Sequence, residues 1–386
     1  MTAKQIMMSA IRTQVCGAER IRYGELTDEQ MRSLYSLSKS HDMAHIVSAE
    51  LSEQGLLKDG EEISEKFRKQ HMIAVFRYER INYELEELCA ALEEARIPFM
   101  PLKGSCLRAY YPEPWMRTSC DIDVLVHSED LQKATEYLKE HLGYEMTERG
   151  SHDISMFSPS GVHVELHYDL VEEGRANNCR KILGNAWNYA APVSDGAFRH
   201  AFTDEMFYLY HIAHMAKHFE NGGCGVRPYL DIWILDNILD YDKQARDDLL
   251  ERGELLKFAE SSRHLACVWF SNGTDDELTA RIEQYILFSG VYGNIDNRIA
   301  VQQNKQGGRF KYILSRMFLP YDVIKLSYPI LQKHRWLLPV MQIRRWFKVF
   351  FGGRFKRSLN EVNVNAKMSD ERKQDTKALL ESLGLQ

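Results

Sequence analysis

The chain predicts an α+β fold, a small mixed sheet set between helical regions, and two observations predict it. From Leu26 to Arg96, and again beyond Arg175, apolar residues recur every three or four positions; between Pro98 and about Leu170 the period falls to two. The first zone holds two long proline-free runs, MRSLYSLSKSHDMAHIVSAELSEQG and EEISEKFRKQHMIAVFRYERINYELEELCAALEEA, each expected as a helix, the second ending near Ala95 ahead of Pro98. In the middle zone FMPLKG and DIDVLVH read as strands. HSEDLQKATEYLKEHLG reads as a helix with Ser128 as N-cap and Gly143 as its stop, and DISMFSP with VHVELHYDL reads as a hairpin turning at Ser160-Gly161. Helices return in DEMFYLYHIAHMAKHFE, PYLDIWILDNILD, LKFAESSRHLACVWF and LLPVMQIRRWFKVFF. The glycine-rich NGGCGVRP joins two of them, and IDNRIAVQQNKQGG is expected as a mobile connector. This divides the chain into an N-terminal helical region (1–97), a small α/β core (98–174), a helical domain (175–290) and a basic C-terminal helical region (291–386).

Bulk composition narrows the function classes. A chain of 386 residues with 44% hydrophobic content can bury a substantial core. No apolar block opens it as a signal peptide would, and no stretch has the length of a membrane span, so a cytoplasmic location is expected. The seven cysteines are scattered, with no Cys-x-x-Cys, and read as reduced thiols rather than as a disulfide framework or a zinc ribbon. The net charge of −6 hides an asymmetry: from Lys305 to Arg357 thirteen Lys and Arg face one acid, Asp322. That basic stretch suits phosphate-bearing ligands, RNA or an anionic membrane surface, but its aromatics, Trp336, Trp346, Phe347 and Phe350, are expected to be spent on helix packing, leaving a solvated basic face and little affinity for long nucleic acid.

The chemistry-bearing segment is PFMPLKGSCLRAYYPEPWMRTSCDIDVLVH. Alternation on a strand puts Asp121 and Asp123 on one face and Ile122 and Val124 on the other. Two carboxylates so close repel unless a cation lies between them. The same alternation in VHVELHYDL turns Glu165 away from Val164 and Leu166, so a neighbouring strand can supply a third acid; three hard oxygen donors are a magnesium set, with manganese as its substitute. Upstream, Lys103-Gly104-Ser105 falls at a strand-to-helix junction where backbone N–H groups and the Ser105 hydroxyl are placed to hold phosphates.

These motifs together, LKGSCLRAYYPEPWMRTSCDIDVLV with VELHYDL, resemble the DNA polymerase beta-like nucleotidyltransferase superfamily, and within it a bacterial family of uncharacterised nucleotidyltransferases. The resemblance covers about residues 98–170 and continues more weakly through HMAKHFENGGCGVRPYLDIWILD; the interval from Ser105 to Asp121 is a few residues longer than the superfamily's. It implies that Asp121 and Asp123 bridge two magnesium ions, that Glu165 completes the acceptor-side ion, and that a nucleoside monophosphate passes from a nucleoside triphosphate to a hydroxyl with release of pyrophosphate. It also makes Arg117 and Arg227 phosphate candidates, beside Gly104, Ser105 and Lys103. Residues alone leave Arg227 equally an ion-pair partner of Asp231, four positions on, and Lys103 a snorkelling strand lysine. His211, His214 and His218 share one helix face by spacing; a packed face explains them better than a metal site, with His214 and Lys217 lining the cleft. Other classes consistent with the same residues are an inactive nucleotide-binding protein of the same fold and a metal-dependent phosphohydrolase.

Overall fold

The computed structural model describes residues 1–171, 179–291, 293–306, 308–328, 330–351 and 369–385. Its fold is mixed α+β, a five-stranded sheet among helices, as the change of period predicts. The chain separates into two compact units, one of Met1–Met215 with Gly225–Glu283, the other of Ala216–Cys224 with Gln284–Gln386.

The first unit opens with a helix not among the expected runs, α1 (Ala3–Gln14). Thr2 and Gln5 form a reciprocal capping box at its start, and Ile6, Met7, Ala10 and Ile11 bury one face completely. The first expected run is two helices, α2 (Asp28–Ser40) and α3 (Ala44–Glu53). They part at Asp42, which takes the left-handed conformation, φ 56°. The second run is one continuous helix, α4 (Glu62–Glu94), as expected, stopping before Pro98.

The sheet has the order β1-β2-β5-β4-β3, with β1 (Phe99–Pro101), β2 (Asp121–Val126), β3 (Glu145–Arg149), β4 (Asp153–Phe157) and β5 (His163–His167). β2 and β5 run parallel and every other neighbouring pair is antiparallel, so the sheet is mixed. A single helical turn, α5 (Gly104–Leu107), follows β1, and α6 (Leu131–Leu142) crosses over after β2. Gly143 ends α6 in the left-handed conformation at φ 68°, but Ser128 is not its N-cap. The chain first makes a turn closed by the Asp130 N–H on the His127 carbonyl, and the helix starts one residue later. β3 escaped the sequence reading because all five of its residues are exposed, which leaves no apolar alternation to read.

One face of this sheet is a dry core. Ile122, Val124, Val164 and Leu166 are fully buried there against Leu88 and Leu92 of α4 and Ala134 and Leu138 of α6. The opposite face is polar. Beyond the sheet come α7 (Cys179–Leu183), the short hairpin of β6 (Ala190–Pro192) and β7 (His200–Phe202), and α8 (Asp204–Glu220), α9 (Arg227–Ile238), α10 (Lys243–Arg252), α11 (Leu256–Phe270) and α12 (Glu277–Leu287).

In the second unit the expected connector IDNRIAVQQNKQGG is largely a helix, α13 (Ile295–Gln306), with Ile299, Ala300 and Val301 fully buried. Tyr312 of α14 (Arg309–Met317) packs on it. α15 (Tyr321–Ser327), α16 (Ile330–Lys333), α17 (Leu338–Phe351) and α18 (Asp370–Ser382) complete the described elements. Among the described residues no helix is long and apolar enough to cross a membrane.

Candidate active site

The polar face of the sheet carries the site because β2 and β5 are aligned residue for residue. Asp121 lies opposite His163, Asp123 opposite Glu165, and Leu125 opposite His167. Period-two alternation then turns Asp121, Asp123, His163, Glu165 and His167 to one side while Ile122 and Val164 enter the core. Two groups of three donor side chains result, Asp121–His163–Glu165 and Asp123–Glu165–His167, each with donor atoms within 4.8 Å of one another. Glu165 belongs to both. Each group brings two carboxylates and one imidazole together, a donor set that could hold a divalent cation.

The two aspartates have different surroundings. Asp123 is 3% exposed and its Oδ1 accepts two bonds of 2.9 Å, from Lys103 Nζ and from His167 Nε2. Burial alone would raise the Asp123 pKa, but Lys103 and His167 outweigh it and hold the carboxyl well below the usual range. His167 shows the reciprocal effect: burial opposes its charge, yet the bonds to Asp123 and Glu165 lift it to about 8. Asp121 is shifted upward by burial and by Asp123. So the two carboxylates are driven in opposite directions, Asp123 toward its ionised form and Asp121 toward its neutral one. At the edge of the group, Ser155 of β4, paired with Glu165, has its hydroxyl 2.5 Å from His163 Nε2.

Lys103 reaches Asp123 through an unusual backbone. Its φ of 46° with ψ −120° is sparsely allowed for a residue with a Cβ, and such strain, on the order of 1–3 kcal/mol, is tolerated where surrounding structure dictates it. The Leu102 N–H bonds the Asp123 carbonyl at 2.9 Å, which fixes the junction to β2. Gly104 follows, buried, and a Cβ there would sit 3.1 Å from Ser119 Cβ and 3.5 Å from an Arg117 nitrogen. The Ser105 and Cys106 N–H groups are spent on the carbonyls of Leu102 and Lys103, so these two amides are turned inward rather than toward a phosphate. The Ser105 hydroxyl is buried without a hydrogen-bond partner among the described residues, a polar atom that a ligand oxygen would satisfy.

Arg117 and Arg227 sit in a buried network beneath the loop that leads into β2. Arg117 Nε donates to Asp231 Oδ1 at 2.8 Å, and the Tyr111 hydroxyl donates to the same oxygen at 2.7 Å. Arg227 Nη1 donates to Asp42 Oδ2 at 3.1 Å and to the carbonyl and hydroxyl oxygens of Thr118 at 3.0 and 3.1 Å. The expected Arg227–Asp231 pair is therefore replaced by two long-range pairs. Asp231 serves Arg117, and Arg227 serves the residue that breaks α2 from α3. Both guanidiniums clamp the 117–118 loop, and with it the start of β2, to the helices.

The α8 histidines belong to neither donor group. His211 is buried with Nε2 3.1 Å from the Pro228 carbonyl, and burial depresses its pKa. His214 falls within the first compact unit and Lys217 within the second. From α8 it is Tyr210 that lies close enough to Lys103 and Asp123 to influence both. His163, His167, Asp42 and Tyr111 were not singled out from sequence. The two histidines were within reach, since VHVELHYDL places them at even spacing on either side of Glu165; Asp42 and Tyr111 carry no local signal.

No curated protein matches the chain, and no solved structure matches it. A family model described as an uncharacterised nucleotidyltransferase does match, over residues 27–271, from the residue that caps α2 to the end of α11, a span that includes β2, β5 and the buried clamp. Possessing the paired strand aspartates, the acid aligned beside them and most of its length within that match, the chain belongs to the uncharacterised nucleotidyltransferase family.

Proposed function

We propose that this protein transfers a nucleoside monophosphate from a nucleoside triphosphate to a hydroxyl acceptor, dependent on magnesium and releasing pyrophosphate. The observation that carries the reading is the register of β2 and β5, which sets Asp121, Asp123 and Glu165 side by side on a polar sheet face whose reverse is sealed by the core. Asp121, Asp123 and Glu165 would hold the cation. When bound, magnesium supplies neutralisation of phosphate charge and makes an acceptor hydroxyl easier to deprotonate. His167 and Lys103 fix the Asp123 carboxylate from two directions, and the Ser105 hydroxyl and the Lys103 ammonium offer polar contacts to phosphate oxygens. Arg117 and Arg227 act at one remove, holding the loop that aims the aspartates. The acceptor is a small molecule or a protein side chain.

Two measurements test this. Calorimetry with ATP, GTP, CTP and UTP should show at least one binding more tightly in magnesium than in EDTA. Mass spectrometry of a cell extract incubated with the protein and that triphosphate should find a species heavier by one nucleoside monophosphate, absent with Asp121→Asn. Triphosphate consumed with water as the acceptor would make the protein a phosphohydrolase, and metal-independent binding without turnover would make it a nucleotide-binding relative.

A further inference from the structure

Of the four aromatics expected to pack, Trp346 does, edge-to-face with Phe318, Trp336 and Phe347 do not, and the Phe350 side chain lies outside the described residues. Phe310 and Trp336 are 73% and 75% exposed, and Phe351 is 83% exposed. The exposure is ordered rather than scattered. On α14, Phe310, Leu314 and Met317 stand at i, i+4 and i+7, all exposed, with exposed Phe318 just past the helix end, while Tyr312 between them is buried against α13. On α17, Val340, Ile343, Phe347 and Phe351 repeat the pattern at i, i+3, i+7 and i+11. The inner face of α17 is already occupied: Gln342 donates to the Leu319 carbonyl at 2.6 Å, and Trp346 and Arg345 donate to the Met317 carbonyl at 2.8 and 2.7 Å. These bonds join α17 to the end of α14 and leave both apolar stripes exposed on the same unit. Exposed cations run beside them, Lys311 on α14, Lys333 on α16, and Arg344 and Lys348 on α17.

We propose that this face of the second unit docks on an anionic lipid bilayer, lying in its surface without spanning it. Charge selects the partner, because the described part of this unit exposes Lys311, Lys333, Arg335, Arg344 and Lys348 beside the apolar stripes, in a stretch of the sequence rich in Lys and Arg, and such cations match a negatively charged headgroup layer. The apolar stripes select hydrocarbon. A polynucleotide would use aromatics as stacking platforms and cations as phosphate ligands, but Leu314, Met317, Val340 and Ile343 offer a base nothing, whereas an acyl layer takes them as readily as Phe and Trp. Helices this short rest in the interface with apolar side chains down and lysines and arginines at headgroup level. The consequence for the chain is a catalytic unit carried at a membrane surface, where an acceptor hydroxyl that is itself lipid-linked would be concentrated.

The test uses the full chain without nucleotide or metal, so its outcome is independent of the catalytic reading. Sedimentation with vesicles of phosphatidylcholine alone and of phosphatidylcholine with phosphatidylglycerol should show binding to the second that is about tenfold or more stronger and that weakens as salt is raised. The double variant Phe347→Ser, Phe351→Ser and the double variant Lys311→Gln, Lys348→Gln should each lose about tenfold in vesicle affinity while melting as wild type does, since the altered side chains are exposed. Phe310→Ser with Trp336→Ser repeats the apolar test at separate positions should the first pair misfold. No binding to anionic vesicles, or binding that survives loss of the phenylalanines, overturns the proposal. So does self-association abolished by Phe347→Ser with no vesicle binding, which gives the face to a second copy, and so does a tight, salt-sensitive complex with transfer RNA in place of lipid.

Discussion

Asp121 and Asp123 are two residues apart and carry the same charge, but they would answer neutralisation differently. Asp123 is bonded by Lys103 and His167, so Asp123→Asn leaves a lysine facing a neutral amide and should cost about 1–3 kcal/mol in EDTA. Asp121 is pushed toward its neutral form by burial and by Asp123, so Asp121→Asn should fold within about 0.5 kcal/mol of wild type, or better. Urea titrations of both variants in EDTA check this, and equal losses would mean that Asp121 has a structural partner of its own. Asp231 is the third acid with a defined job. Burial would raise its pKa, but Arg117 and the Tyr111 hydroxyl outweigh it and hold the carboxyl below its ordinary value. A depressed carboxyl contributes stability that is complete above its unfolded pKa and fades as pH falls through the lower folded value. Asp231→Asn should therefore cost about 3–5 kcal/mol at pH 7, because the buried Arg117 is left uncompensated. The gap between variant and wild type should narrow once the pH drops below about 3.9.

At the scale of elements, the split of the first run and the helix found in place of the connector share one cause: contacts with other segments of the chain decide where an element runs and stops. Asp42 breaks the first run because its carboxylate accepts from Thr118 and Arg227 across the fold, which holds its backbone at φ 56°. The segment expected to be a connector is held as a helix by Asn297 on Ser289 at 2.9 Å and by Asn304 on the Lys373 carbonyl at 3.0 Å. The glycine-rich NGGCG is similarly a packed joint. Gly223 has φ 124°, and a Cβ there would lie 2.2 Å from Ser289 Cβ, while the Gly222 carbonyl accepts from Asn294 at 3.0 Å. Gly223→Ala is accordingly expected to destabilise the second unit by about 1–3 kcal/mol, read by hydrogen exchange at α13. Were this loop merely a flexible linker, exchange there would not change.

Across the whole molecule, a cation that binds the folded chain alone must raise its stability. Wild type should gain about 2.7 kcal/mol at a hundredfold excess of magnesium over its Kd, seen as a higher melting temperature than in EDTA, while Asp121→Asn and Asp123→Asn gain little. A normal magnesium response in both variants would remove these acids from the site. Polynucleotide affinity is a property of the whole charge distribution, and filter binding should show weak retention of transfer RNA at physiological salt, given the overall charge of −6 and the exposed aliphatic side chains among the C-terminal cations.

Periodicity by itself determined the class of fold and the polar strand face, because a strand's side-chain period is two whatever surrounds it. Asp121, Asp123 and Glu165 could be picked out from DIDVLVH and VHVELHYDL, and the sheet puts Asp123 opposite Glu165. The same rule contained His163 and His167, which needed only the premise that a histidine beside an acid belongs to the site. Tertiary structure alone decided the rest. Whether Arg117 pairs with Asp231 or Arg227 does so depends on which helix lies over which loop, more than a hundred positions apart in the chain, and no local pattern records it. Spacing likewise could say that α14 and α17 have an apolar stripe but not which stripe faces inward. Amphipathicity is a property of one helix, while burial is a property of what covers it, and in the second unit the covering elements take Tyr312 and Gln342 and leave Phe310 and Phe347 outside.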